Sequence, residues 1–105
     1  MAIFELRTYT LKVSRVQDYL ELYHREAMAI HTGHLGQPVG WWQSEIGVLN
    51  QIVMLWRYES LADREQRRAT LMEDPAWLAF LPKTADYIER METRILKAAF
   101  FSPMQ

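Results

Sequence analysis

Residues 40–59, GWWQSEIGVLNQIVMLWRYE, place two tryptophans side by side and a third inside an apolar run. Along an extended strand neighbouring side chains point to opposite faces, so Trp41 and Trp42 cannot share one core. The second half of the stretch divides the same way. Ile52, Met54, Trp56 and Tyr58 fall on one face, and Gln51, Val53, Leu55, Arg57 and Glu59 on the other. Both faces of the sheet that contains it are therefore substantially apolar, and each needs a cover. Burying one aromatic side chain contributes roughly 2 to 5 kcal/mol by area. A wet sheet face would forgo several such terms in a domain stable by only about 5 to 15 kcal/mol.

Working outward, Gly47, Val48, Leu49 and Asn50 form a short link between strands at about Val39–Ile46 and Gln51–Glu59, which predicts an antiparallel hairpin. Upstream, IFELRTYTL (3–11) sorts Phe4, Leu6, Thr8 and Thr10 from Ile3, Glu5, Arg7 and Tyr9, the alternation of a strand. Val16, Tyr19, Leu20, Tyr23, Ala27 and Ile30 then recur at three- and four-residue steps, predicting a helix from a Ser14 cap to about Ile30. HTGHLGQP (31–38) reads as a loop. Downstream, Ser60 caps a helix over LADREQRRATLM, with Asp63 in its first turn. Asp74-Pro75 starts a short helical turn carrying Trp77 and Phe80, which Pro82 ends or bends, and a last strand runs from about Glu89.

This order, strand, helix, strand, strand, helix, strand, predicts an α+β fold: a ferredoxin-like βαββαβ arrangement with a four-stranded antiparallel sheet and both helices on one face. A second copy packed sheet to sheet across a two-fold axis is the simplest cover for the other face. Assembly beyond a homodimer stays open. Twelve basic residues against thirteen acidic ones, net charge −1, supply no general pull toward nucleic acid or an anionic membrane. The absence of cysteine excludes disulfides and thiolate chemistry. The longest apolar run, Ala76–Leu81, is far short of the roughly 20 residues of a spanning helix. Glu5 and Arg7 interrupt any apolar centre of a leader, so the expectation is a cytoplasmic protein with nothing to cleave and no membrane insertion.

ELRTYTL (5–11), VGWWQSEIGVLNQIVMLWRYESLADREQRR (39–68), DPAWLAFLP (74–82) and RILKAAFFSP (94–103) resemble the NIPSNAP family, in the family's order and through nearly the whole chain. The resemblance implies one domain over residues 1–105, of the dimeric α/β-barrel superfamily. It implies no established catalytic set and no cofactor. Animal members are linked with mitochondria, vesicle traffic and the marking of damaged mitochondria, whereas compact members are mostly without assigned function. The superfamily also holds cofactor-independent monooxygenases, isomerases and haem-binding proteins, so the fold does not choose a reaction.

Trp56, Tyr58 and Met54 on one face suit a wall for a flat apolar molecule between sheet and helices, and suit an ordinary core equally. Glu5, Arg7 and Tyr9 share a strand face. If it meets a partner, Glu5 and Arg7 form interfacial ion pairs; the functional alternative makes Arg7 an anchor for an anionic ligand and Tyr9 a proton donor. His24 completes the pocket candidates. His24, His31 and His34 do not converge along a straight helix, and no HExxH motif is present, so no metal is expected and the histidines read as surface or loop residues. Asn50 suits a turn, Arg64 is placed to pair with Glu45 or Glu59, and Asp63 with Arg67 at i,i+4.

The functional expectation is a homodimer that binds a small apolar or aromatic molecule. One alternative is a cofactor-independent monooxygenase or isomerase with Tyr58, Tyr9 or His24 handling a proton. Another is an interaction module that docks through Phe100 and Phe101.

Overall fold

The computed structural model describes residues 2–105. In chain order it contains β1 (Ile3–Leu11), α1 (Val16–Glu26), α2 (Met28–Leu35), β2 (Gly40–Gln43), β3 (Gln51–Tyr58), α3 (Leu61–Leu71), α4 (Pro75–Ala85) and β4 (Ile88–Leu96). The strands form one sheet in the order β2-β3-β1-β4, with every neighbouring pair antiparallel. This is the α+β ferredoxin-like plan, with each of its two helices split into a pair.

Register explains the two-sided hydrophobic pattern. Glu5 sits opposite Trp56 and Ile95, Arg7 opposite Met54 and Thr93, and Tyr9 opposite Ile52 and Met91. Directly paired residues point the same way, so these rows share the helix-covered face. Trp41 pairs with Met54 on that face and Trp42 with Val53 on the other. Trp41 packs at 4.5 Å, centroid to centroid, on Tyr23 of α1, while Trp42 stays 54% exposed. Gly40 serves that second tryptophan, because a β carbon there would stand 2.4 Å from the Trp42 ring.

The core lies between sheet and helices: Ile52, Met54, Trp56 and Tyr58 of β3 meet Tyr19, Tyr23, Leu35 and Phe80. The opposite face is partly covered by the C-terminal segment, which leaves a groove of about 490 Å³ beside Phe4, Leu55 and Leu96. Phe100 and Phe101 project into solvent from it.

Several boundaries differ from expectation. Helix α1 ends at Glu26 because Ala27 leaves helical geometry (φ −121°, ψ −28°), and α2 then runs through most of the predicted loop to Leu35. An internal Gly33 costs about 1 kcal/mol, which the burial of His31 and Leu35 offsets. Arg15 occupies the N-cap of α1 without a side-chain capping bond, and Ser14 adopts φ 71° in the preceding turn. The anticipated short turn after Asp74 is an eleven-residue helix that carries Pro82 inside it. Strand β2 ends at Gln43 rather than Ile46, since Gly47 (φ 112°) and Asn50 (φ 62°) curl the connection away. Ser60 caps α3 as predicted, accepting from the Asp63 N–H.

Candidate functional site

The helix-facing row of β1 carries Glu5, Arg7 and Tyr9, and the helices, not an open sheet surface, bury it. Glu5 has no solvent exposure. Its Oε2 accepts from Arg7 Nη1 (3.0 Å), Arg64 Nη2 (2.9 Å) and Thr93 Oγ1 (2.6 Å), and its Oε1 from Arg64 Nε (3.2 Å). Burial alone would raise the Glu5 carboxyl; the Arg64 and Thr93 hydrogen bonds, with the charges of Arg7 and Arg64, overcome it and hold the group at about 2. Arg64 thus pairs with Glu5 and with Glu65 (2.6 Å), not with Glu45 or Glu59. Arg7 reaches the other way: its Nε and Nη2 lie 3.4 and 3.3 Å from the Tyr9 hydroxyl. The expected Asp63 to Arg67 pair forms at 2.8 Å.

Tyr9 is also the link to a cleft. Between α1, α4 and the β1–β4 side of the sheet lies a mostly apolar recess of about 230 Å³. Tyr9, Ile88 and Met91 form its sheet wall. Tyr19 closes one side, edge-on to Tyr9 with ring centroids 6.3 Å apart, and Trp77, Phe80 and Thr84 of α4 close the other. Proline at the first position of α4 and the Asp74 carboxylate, which accepts from the Ala76 N–H at 2.9 Å, start that helix so that Trp77, Phe80 and Thr84 face inward.

Behind the cleft stands a buried imidazole. His31 Nδ1 lies 2.7 Å from the Tyr23 hydroxyl, and the ring stacks on Trp77 at 4.5 Å. Burial, reinforced by the charges of Arg68 and Arg7, lowers His31 to about 3, so the ring is neutral. Burial raises the phenols of Tyr19, Tyr23 and Tyr58. The sequence reading missed this residue by taking the three histidines as surface or loop residues. The signal was available in Tyr19, Tyr23, Ala27, His31 and Leu35, a four-residue repeat running unbroken through the predicted loop.

The predicted pocket residues separate. Arg7 and Tyr9 come together, and of the two Tyr9 lines the cleft. Met54, Trp56 and Tyr58 are packed into the core, where the Trp56 indole N–H and the Tyr58 hydroxyl find no partner among the described residues. His24 is on the exposed side of α1, away from the cleft wall that Tyr19 of the same helix supplies. His34 pairs with Asp74 at 2.8 Å. Among the described residues no group of three or more acidic, histidine or cysteine side chains is arranged to hold a metal, and no helix is long and apolar enough to cross a membrane.

The NIPSNAP family model matches residues 4–103. This chain belongs to the NIPSNAP family. Within the family it is 32% identical over 99 residues to the Dictyostelium discoideum protein NipSnap homolog, covering 90% of this chain and 41% of that one. It is likewise 32% identical to human protein NipSnap homolog 3A, covering 88% and 37%. The chain therefore spans about two fifths of the length of these relatives. Two solved NIPSNAP structures from Agrobacterium tumefaciens match nearly end to end. One, of unknown function, shares 48% identity at a TM-score of 0.95 and is covered to 94%, with 99% of this chain. The other shares 40% at 0.96, with both chains fully covered. Outside NIPSNAP, a Nitrosomonas europaea protein provisionally named an antibiotic biosynthesis monooxygenase aligns at 14% identity and a TM-score of 0.65, over 96% of this chain and 93% of its own. That likeness shows the fold alone.

Proposed function

We propose that this NIPSNAP protein works as a homodimer, a single dimeric α/β-barrel domain per chain, and holds a small apolar or aromatic molecule in the cleft between its helices and the β1–β4 side of the sheet. The observation that carries the binding reading is the cleft itself: aromatic walls with Tyr9 at the boundary between apolar recess and buried ion pairs. Ligand sites commonly combine apolar lining with a few placed polar groups. At about 230 Å³ the recess is below the roughly 300 Å³ at which drug-sized pockets begin, so it suits one or two rings. Dimerisation is supported by the exposed Trp42, Phe100 and Phe101 around the sheet face opposite the helices, which the C-terminal segment only partly covers. That face is where the larger groove lies, which is why the smaller cleft is the better ligand candidate.

The experiment uses naphthalene and indole as probes in thermal-shift and native mass-spectrometry measurements on the full chain. Either probe should raise the melting temperature of the wild type and fail to do so in Ala85→Trp, which fills the cleft from its exposed rim. If neither probe shifts the wild type and no small molecule co-purifies, the binding reading is wrong. A second reading, a cofactor-independent monooxygenase or isomerase, is favoured by the Tyr9 hydroxyl, which Arg7 contacts from its oxygen side. Turnover of a bound aromatic compound that falls in Tyr9→Phe would select it.

A further inference from the structure

Arg7 has more donor capacity than its neighbours consume. A guanidinium carries five N–H donors, yet Arg7 makes one short bond, to Glu5 at 3.0 Å, and two long ones, both to the Tyr9 hydroxyl at 3.3 and 3.4 Å. The carboxylates are also unequally shared. Glu5 serves both Arg7 and Arg64; Arg64 has Glu65 as a second partner, and Arg7 has no second one among the described residues. The four charges cancel in sum, but Arg7 holds only a shared partner.

The Arg7 guanidinium stands beside one wall of the cleft, reached through Tyr9. Tyr9 both lines the cleft and touches Arg7. Because the Tyr9 oxygen accepts from Arg7, its own proton is available for donation. On β4, Met91 lines the cleft opposite Tyr9, and Thr93 stands opposite Arg7 in the next row. Both are exposed on this face, so an uncovered strip leads from the apolar recess past the Arg7 side chain, itself 12% exposed. The side chains lining the recess include none that is acidic. A charge-assisted pair at such a partly desolvated position is stronger than one at the open surface.

We propose that the cleft selects molecules carrying a carboxylate on an apolar or aromatic body, with Arg7 and Tyr9 as the residues that read the acid group. This rests on the cleft being a binding site. A purely structural Arg7, serving only to neutralise Glu5, would affect stability and would treat acidic and neutral ligands alike.

The test compares 2-naphthoic acid with 2-naphthamide, matched in shape and differing in charge, by calorimetric titration of the full chain at low ionic strength. The acid should bind about 10- to 100-fold more tightly than the amide, and its advantage should shrink as salt is added. Arg7→Gln should bring the ratio close to one with the amide affinity retained, and Tyr9→Phe should lower the ratio several-fold. If Arg7→Gln does not fold, Tyr9→Phe and the salt dependence decide the matter. Equal binding of acid and amide by the wild type overturns the acid selection and leaves the cleft reading standing. Binding of neither overturns both. An acid preference that survives in Tyr9→Phe and in a folded Arg7→Gln assigns the selection to other residues and also overturns the proposal.

Discussion

Arg64 of α3 and Glu5 of β1, fifty-nine positions apart, are joined by two hydrogen bonds of 2.9 and 3.2 Å that tie helix to sheet. Helix α3 buries only Leu71 among its residues, so this polar tie has a large share in seating it. Removing one member of a buried ion pair costs about 3–5 kcal/mol, because the survivor stays desolvated and unpaired. Glu5→Gln leaves two guanidiniums facing each other and should lose stability in that range in urea unfolding. Arg64→Met leaves Glu5 its bonds from Arg7 and Thr93 and should lose less. An equal loss in both would show that the tie acts as a simple pair and not as a network.

Acid should act on the protein in two overlapping windows. His31 is held at about 3, below its ordinary 6.5, so the unfolded chain takes up a proton there that the native state refuses. Its contribution is complete above pH 6.5 and is lost as pH falls toward 3, at a slope of up to about 1.4 kcal/mol per pH unit. Glu5, lowered from 4.5 to about 2, contributes fully above 4.5 and loses that contribution as pH falls to about 2. Urea midpoints of wild type and His31→Phe should therefore converge as pH drops from 6.5, the variant bearing a constant cost for the unpaired Tyr23 hydroxyl. Parallel curves would mean that His31 protonates freely in the native state.

Asp74 has two separable duties, capping α4 through Oδ1 and pairing with His34 through Oδ2. Asp74→Asn keeps a capping oxygen and should cost a few tenths of a kcal/mol, whereas Asp74→Ala should cost about 1 kcal/mol or more. Thermal melts of the two variants, with His34→Ala as a third, separate cap from pair. If Asn and Ala variants melt together, the pair dominates.

For the proposed dimer, Leu55→Arg puts a charge on the sheet face opposite the helices, beside Phe4 and Leu96 in the groove next to the C-terminal segment. Sedimentation velocity should show a dimer for the wild type and a monomer, still folded by circular dichroism, for the variant. A wild type that sediments as a monomer at micromolar concentration removes the dimer from the proposal.

The strand pattern makes the sheet legible from the sequence alone. Trp41 and Trp42 announced two apolar faces, and alternation grouped Glu5, Arg7 and Tyr9 along β1 and Met54, Trp56 and Tyr58 along β3; that the two rows share one side comes from the register. Which side the helices cover is a tertiary matter, since both rows are greasy enough to be a core; that is why Glu5 and Arg7 admitted an interfacial reading. The helical boundaries failed where single residues were weighed above pattern. Gly33 and Gly36 suggested a loop although the four-residue repeat continued to Leu35, and Pro82 suggested an end or a bend to a short turn although one missing N–H does not end a helix whose Trp77, Phe80 and Thr84 are buried. The cleft was hardest to foresee, because its walls come from four separate elements and no local spacing encodes their meeting.

Strand β4 is bonded to β1 alone, and apart from half-buried Ile88 its side chains are exposed on both faces. A strand secured on one edge and little shielded by packing is a natural point of local opening. Amide deuteration should enter there first, well ahead of β3, whose two edges are both paired. Brief excursions of that strand would bare the Thr93 bond to Glu5 and loosen the Met91 wall, giving the recess a doorway that needs no movement of the helices.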